Sequence, residues 1–246
     1  MAQRRASVRR IDAPDAEASN PATFIFLHGF GDDADGWTNI AQQFHAANKL
    51  PHLTWIFPNA PHNHEAMTQA WYTPTSFSPI PVGRSSTALG EDAEEEEEHE
   101  EEEEILQSVE YIYGLVDEEI KRGVDLKRIV IGGFSQGCAV SVVAGLAGRY
   151  KGQFGGIVGL SGYLPEGKKI RRERESYVKG LMKVFLGHGT KDMLVPMRVF
   201  RDARVRVGKT VGEEALEVHE YEGLGHATSG TEFRDMCDFL ERIVPQ

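Results

Sequence analysis

Short, mostly apolar runs separated by turns rich in Gly, Pro and Asp recur along this 246-residue chain. Each run is three to six residues long, which is too short for a helix that buries one face, so each predicts a buried β-strand. The runs lie at residues 22–27, 53–57, 129–131, 156–160, 183–186 and 216–221. A more polar run at residues 7–11 predicts one further strand at a sheet edge.

Helical patterns separate these runs, at residues 38–49, 105–122, 136–148, 198–207 and 231–243. Strand and helix therefore alternate along the chain, which predicts an α/β fold with a mostly parallel central sheet and helices on both faces. We expect a flexible arm at residues 1–21 and a single domain at residues 22–246. The segment at 168–174 is basic and polar, and predicts a loop.

The pattern fails between residues 62 and 104. Pro74, Pro79 and Pro81 predict an irregular loop, although its aromatic content is too high for a simple solvated one. An acidic insert follows, with glutamates at 94–98 and 100–104. Repulsion between like charges four residues apart predicts that the first glutamates are disordered and that the last lead into the helix at 105–122.

The acidity of the chain is local. Its net charge is −11, and taking away these ten glutamates leaves −1. We therefore expect no nucleic-acid partner. A binding function in which the tract recruits a basic protein is one hypothesis, and a solvated insert without a partner is the plainer one.

Two cysteines, Cys138 and Cys237, lie in apolar helical settings and are expected to be free thiols in a reducing compartment. The first residues lack the apolar segment of a secretory signal. We expect a cytoplasmic protein, and these features allow a nuclear fraction as well. The composition gives no indication of the oligomeric state.

Gly133, Ser135 and Gly137 form a G-x-S-x-G motif between the strand at 129–131 and the helix that follows. In this context the motif predicts a sharp turn that exposes the serine hydroxyl as a nucleophile. Asp192 and His226 each follow a later predicted strand, and the carboxyl ends of parallel strands share one edge of a sheet. Their order, serine then acid then histidine, predicts a catalytic triad, although a turn aspartate and a solvated histidine are the simpler readings of each residue alone.

A tetrahedral oxyanion needs two donors. The N–H groups of Gln136, which follows the serine, and of Phe30, which lies between two glycines after the first buried strand, are the expected pair. His28 and the pair His62 and His64 are potential metal ligands, but glycines and prolines flank them and no further ligand follows in a suitable pattern. No metal site is therefore predicted, and no cofactor.

Six segments together resemble one known family. They are FLHGFGD at 26–32, FPNAP at 57–61, GGFSQG at 132–137, LSGYLP at 160–165, HGTKDMLVP at 188–196 and YEGLGH at 221–226. In this order they are similar to the acyl-protein thioesterases, the phospholipase/carboxylesterase branch of the α/β-hydrolases. The resemblance implies an α/β-hydrolase fold without a large cap domain.

The resemblance also implies an activity: a serine hydrolase that removes fatty acyl thioesters from S-acylated proteins, with Ser135, Asp192 and His226 as the triad and Phe30 and Gln136 at the oxyanion hole. It implies substrate contacts from Trp71, Phe77, Leu164 and Met193, and it allows transient contact with a membrane surface. Hydrolysis of small esters or lysophospholipids is the alternative. Tyr72 and Thr73 stand where the family usually has Phe and Asp, and Cys138 stands where it commonly has Gly.

Overall fold

The computed structural model describes residues 7–15, 18–64, 67–73, 91–174, 180 and 182–246, with the backbone alone at residues 91–100. The strands of this part of the chain are β1 Val8–Ile11, β2 Ala22–Leu27, β3 Leu53–Pro58, β4 His62–Asn63, β5 Thr68–Gln69, β6 Ile129–Phe134, β7 Gly156–Leu160, β8 Lys183–Gly189 and β9 Leu216–Tyr221. The α-helices are α1 Thr38–Ala46, α2 Glu91–Lys121, α3 Gln136–Leu146, α4 Lys168–Arg174, α5 Met197–Val211 and α6 Gly230–Ile243.

Within the described ranges, seven strands form one sheet in the order β1-β3-β2-β6-β7-β8-β9. Only the pair of β1 and β3 in this sheet is antiparallel, so the prediction of a mostly parallel sheet is confirmed. The order reverses direction after β3, and β6 lies at the centre, beside β2 and β7. The carboxyl ends of β2, β6, β8 and β9 therefore open onto one edge, where a ligand site is expected in such sheets.

Successive side chains of a strand point to opposite faces, and β2 shows what this does to the core. Phe24 and Phe26 pack in the layer that contains α1 and α6, whereas Ile25 and Leu27 pack in the layer that contains α2, α3 and α5. All of these side chains are buried. Because helices cover both faces of the sheet, both sets of side chains are buried, and the strand sequence is continuously apolar rather than alternating.

The acidic stretch differs from its prediction. Instead of beginning near residue 105, α2 begins at Glu91 and includes the whole glutamate run. Glutamate is a good helix former, and repulsion between like charges costs only a few tenths of a kcal/mol per pair. The last glutamates also find partners, because Glu102 accepts a hydrogen bond from Ile170 N and Glu104 accepts one from Thr73 N.

The basic segment at 168–174 was predicted as a loop, and this prediction was wrong. It forms α4, with Ile170 buried against the core. The Glu102 Oε1 atom lies 2.7 Å from Ile170 N and so binds an N–H group near the beginning of the helix. A Cβ on Gly167 would lie 2.2 Å from Glu102 Oε1, so a larger residue there would displace this carboxylate from its place beside Ile170 N. The contact comes from a residue far away in sequence, which local polarity could not reveal.

Part of the predicted irregular loop carries regular structure, since β4 and β5 form a short antiparallel pair. Residues 74–90 lie outside the described residues, as do 1–6 and 16–17 of the predicted arm. Among the described residues, no helix combines the length and apolar character needed to cross a membrane.

The buried carboxylate of Glu119 joins α2 to two strands. Its Oε2 accepts a hydrogen bond of 2.9 Å from the Thr23 hydroxyl on β2, and its Oε1 lies 2.6 Å from Arg10 Nη1 on β1. Replacing Glu119 with Ala would leave the Thr23 hydroxyl buried without this acceptor, so Glu119→Ala should lower the free energy of unfolding by about 2–3 kcal/mol. Urea denaturation measures the change.

The matched control is Glu241→Ala, which also removes one negative charge. Glu241 pairs with Lys49, and both side chains are well exposed. An exposed pair contributes at most about 1 kcal/mol, so this variant should stay close to the parent protein. Equal losses in the two variants would contradict the role given to the buried carboxylate.

Candidate active site

The turn between β6 and α3 brings the serine hydroxyl to the sheet edge. Ser135 has φ 56° and ψ −117°, a backbone conformation that side-chain-bearing residues rarely adopt. A Cβ on Gly137 would lie 2.2 Å from the Leu27 carbonyl oxygen, and one on Gly133 would lie 2.5 Å from the same atom. Both glycines are therefore required for α3 to start so close to the end of β2, and this close approach holds Ser135 at the apex.

Three predicted residues meet at this apex although they are far apart in sequence. His226 Nε2 lies 3.0 Å from Ser135 Oγ, and His226 Nδ1 lies 2.8 Å from Asp192 Oδ2. Ser135 follows β6, Asp192 follows β8 and His226 follows β9. The arrangement has the geometry of a serine nucleophile, an imidazole base and a carboxylate that orients the base.

Asp192 is held as an anion in a buried position. Burial acts to raise the pKa of this carboxyl, but hydrogen bonds from His226 and from the Val195 N–H outweigh it, so the pKa lies below its ordinary value. The second oxygen, Oδ1, accepts bonds of 2.9 Å from Leu194 N and 2.8 Å from Val195 N. These backbone donors fix one oxygen and leave Oδ2 directed at the imidazole.

A second histidine, His188, supports the loop that carries Asp192. Its Nε2 donates to the Val195 carbonyl at 2.8 Å and lies 3.7 Å from Asp192 Oδ2, and its ring stacks on Phe200 at 4.3 Å. Burial lowers its pKa, so the ring is neutral at neutral pH. Sequence reasoning assigned this residue no role, and its place at the end of an apolar run carries no signal for one.

The predicted oxyanion donors lie on two segments beside the serine. Gln136 is the first residue of α3, and the first N–H groups of a helix have no acceptor within it. Phe30 follows Gly29 in the turn after β2, and a Cβ on Gly29 would lie 3.4 Å from Ser135 Cβ. The turn thus packs directly against the nucleophile. The role of both N–H groups remains a prediction.

The residues predicted to contact the substrate differ in how much of their side chains is exposed to solvent. Met193 is 84% exposed beside Asp192, whereas Leu164 and Trp71 are only 4% and 2% exposed. Phe77 lies outside the described residues. Phe30, Met67 and Leu194 also expose apolar side chains, although none of these side chains was predicted as a substrate contact. Exposed apolar side chains thus occur on both segments that flank the triad.

Leu164 lines a narrow apolar cavity of about 10 Å³ between α3 and α5. The other lining residues include Cys138, Gly162, Leu186, Phe200 and Val207. A Cβ on Gly162 would lie 2.9 Å from the Ser135 carbonyl oxygen, so the cavity lies directly behind the nucleophile turn. Burial raises the pKa of the Cys138 thiol to about 12, which leaves it unreactive as a nucleophile.

Among the described residues, no three side chains that could bind a metal ion lie close enough together to form a metal site.

Comparison with known proteins agrees with this architecture. The sequence profile of the phospholipase/carboxylesterase family matches residues 8–244. Acyl-protein thioesterase 1 of Yarrowia lipolytica is 34% identical over 231 residues, which cover 94% of this chain and 96% of that protein. Acyl-protein thioesterase 1 of Schizosaccharomyces pombe is 32% identical over 92% of each chain.

Solved structures of related proteins superpose on the chain over most of its length. The crystal structure of Arabidopsis thaliana SOBER1 superposes with a TM-score of 0.72 at 25% identity, over 91% of this chain and 99% of SOBER1. That of Zea mays acyl-protein thioesterase 2 superposes with a TM-score of 0.75 at 20% identity, over 97% of this chain and 99% of the maize protein. At 20% identity the second likeness shows the fold alone.

One buried acid near the site lies outside the triad. Glu232, in the first turn of α6, is fully buried, and its carboxyl oxygens have no hydrogen-bond partner among the described residues. Its Oε1 would lie 2.6 Å from a Cβ on Gly187 of β8. Burial raises the pKa of this carboxyl from its ordinary 4.5 to about 8.

Glu232 should therefore make the stability depend on pH. Its folded-state pKa is above the unfolded value, so its contribution is complete below pH 4.5 and is lost as the pH rises towards about 8. Glu232→Gln should unfold at similar urea concentrations at the acid end of this window and gain a few kcal/mol over the parent at the alkaline end. Glu241→Gln, at an exposed position, is the control that should keep the parent's pH dependence. A stability difference independent of pH would contradict the buried titration.

Proposed function

This chain belongs to the phospholipase/carboxylesterase family, and from that premise we propose that it is a serine hydrolase that cleaves fatty acyl thioesters of S-acylated proteins, with Ser135, Asp192 and His226 as its triad. The observation that carries the proposal is the pair of hydrogen bonds that join Ser135 Oγ to His226 Nε2 and His226 Nδ1 to Asp192 Oδ2. The names of the curated relatives support the thioester substrate.

In the first step, Ser135 Oγ attacks the acyl carbonyl carbon while His226 Nε2 takes the hydroxyl proton. Asp192 keeps the Nδ1 proton in place and stabilises the imidazolium cation that forms. Buried and held by two backbone N–H groups, this carboxylate cannot turn away from the ring. Its lowered pKa keeps it ionised at neutral pH.

The attack moves negative charge onto the carbonyl oxygen. The N–H groups of Phe30 and Gln136 receive this oxyanion, and the positive end of the α3 dipole lies behind Gln136. Collapse of the intermediate breaks the carbon–sulfur bond and leaves the acyl group on Ser135. The cysteine leaves as a thiolate, for which an ordinary pKa of ~8.5 makes departure easy, and it takes up the proton that His226 carries, which returns the imidazole to its neutral form.

A water molecule then completes the cycle. His226, now neutral, takes a proton from water as the water oxygen attacks the acyl carbon of the acyl-enzyme. The tetrahedral intermediate collapses, the bond from the acyl carbon to Ser135 Oγ breaks, and the proton returns from His226 to that oxygen. The products are a fatty acid and a free protein thiol.

The surroundings of the triad favour an apolar substrate. Met193 and Leu194 are exposed beside Asp192, and Phe30 is partly exposed beside Ser135. Water-exposed apolar side chains at a catalytic edge suit an acyl chain. We extend the proposal to transient contact with a membrane surface, where acylated proteins lie, and to a reducing compartment such as the cytoplasm, since both cysteines are free and buried.

The nucleophile can be tested with a matched pair of variants. Ser135→Ala should abolish hydrolysis of an S-palmitoyl peptide and covalent labelling by a fluorophosphonate, with a loss of kcat of roughly 10⁴-fold or more. Ser141→Ala is the control, because Ser141 is buried in α3 and its hydroxyl has no partner among the described residues. Activity retained by Ser135→Ala would refute the mechanism. A higher kcat/KM for short nitrophenyl esters than for the palmitoyl thioester would refute the substrate class.

The carboxylate can be tested without changing the size of the side chain. Asp192→Asn keeps the shape but favours the wrong imidazole tautomer, so kcat should fall by about 10⁴-fold while KM changes little. Asp117→Asn is the control, because its half-buried carboxylate on α2 pairs with Arg149 and not with the imidazole. Steady-state kinetics at neutral pH measure both variants, and a loss below about tenfold would argue against Asp192 as the partner of His226.

A further inference from the structure

The Trp71 side chain and backbone connect the two segments that carry the proposed oxyanion donors. Its indole Nε1 donates a hydrogen bond of 2.9 Å to the carbonyl oxygen of His28, two residues before Phe30. Its backbone N–H donates one of 3.1 Å to Oε1 of Gln136. One residue therefore binds both the turn after β2 and the first residue of α3.

The Gln136 side chain completes this connection. While Oε1 accepts from Trp71 N, Nε2 donates a bond of 2.8 Å to the Tyr72 carbonyl oxygen. The amide is buried, so both bonds lie away from water and each is costly to lose. The Gln136 side chain thus accepts one hydrogen bond from the backbone of residues 71–72 and donates one to it, and the two bonds hold this backbone against the beginning of α3.

Helix α2 holds the same segment from the other side. Ser108 Oγ donates to the Trp71 carbonyl oxygen at 2.5 Å, and Glu104 accepts a hydrogen bond from Thr73 N. The Trp71 ring is 2% exposed and lies against the His28 ring, with centroids 5.2 Å apart. Within the part of the chain that the structure describes, Trp71 is therefore enclosed by these neighbours and presents almost no surface to an acyl chain.

From these contacts we propose that Trp71 is a positioning residue for the oxyanion hole. It acts through the His28 carbonyl and the Gln136 side chain, and it sets the separation of the Phe30 and Gln136 N–H groups. The inference rests on the proposed function, since it assigns a role in the same reaction. It replaces the substrate contact that the family resemblance implied for this residue.

The two proposed donors lie on segments of different rigidity, so a contact that joins these segments can fix the distance between the donors. The Gln136 N–H belongs to a buried helix packed on the sheet, whereas the Phe30 N–H lies in a turn between Gly29 and Gly31, and Gly31 has φ +73°. Glycines leave such a turn free to adopt other conformations. An oxyanion site requires donors about 2.7–3.1 Å from the developing charge, so a small movement of this turn weakens it.

The test compares two tryptophan-to-phenylalanine variants in the full-length enzyme. Trp71→Phe keeps a buried ring but removes the N–H bonded to His28. Trp55→Phe makes the same change at a fully buried tryptophan in the opposite layer, whose Nε1 has no partner among the described residues. Both should lower the midpoint of urea unfolding, because each leaves a similar void.

The kinetic results should separate the two variants. Trp71→Phe should lower kcat by roughly 10- to 100-fold with KM nearly unchanged, whereas Trp55→Phe should keep the parent's kcat. Affinity for an alkyl boronic acid, which forms a tetrahedral adduct on the serine, should fall by the same factor as kcat. The pH profile of kcat should keep its shape, because the bonds between Ser135, His226 and Asp192 are unchanged.

A kcat for Trp71→Phe within about twofold of the Trp55→Phe value would overturn the inference, and so would an unchanged boronate affinity. If Trp71→Phe does not fold, Gln136→Met gives the second test, because it removes both amide bonds while keeping the length of the side chain. The same loss in kcat and in boronate affinity is expected. Failure of the proposed function is seen separately, as activity that persists in Ser135→Ala.

Discussion

The close approach of α3 to the end of β2 is the constraint on which the rest of the site depends. Any side chain at Gly137 would overlap the Leu27 carbonyl, so the helix can begin there only with glycine. Because the helix starts so close, the chain must turn through Ser135 in a strained conformation. The energy of that strain is supplied by the buried sheet and helices on either side, which would lose their packing if the turn relaxed.

The same sheet edge explains why distant residues cooperate. Strands β6, β8 and β9 each deliver one polar side chain to this edge. Because β7 and β8 lie between β6 and β9, the loop that carries His226 reaches across them to Ser135. The acid is the most constrained of the three. It is buried, bonded to two backbone N–H groups and flanked by the neutral His188, so the imidazole has one fixed partner on its inner side.

The sequence predicted correctly those parts of the molecule that depend on the local pattern of residues. Buried strands are continuous apolar runs, and the turn glycines around Ser135 mark where a side chain cannot fit. The helix at 168–174 could not be predicted in the same way, because it is stabilised by the distant contact of Glu102 with Ile170 N. The early start of α2 was missed because repulsion between the glutamates was given more weight than their helix propensity. The contacts of Trp71 and the support that His188 gives to the acid loop are also tertiary, and no spacing in the chain indicates them.

The glutamate run has two ends of different character. Glu102 accepts a hydrogen bond from α4, and Glu104 accepts one from Thr73 N. Thr73 follows Trp71 and Tyr72, which contact the segments of the proposed oxyanion donors. The end of the acidic insert is therefore tied to the fold by named contacts as well as adding charge. Any truncation that crosses residue 102 removes the hydrogen bond between Glu102 and α4 together with surface charge, and its effect on turnover would be mistaken for the loss of a binding partner.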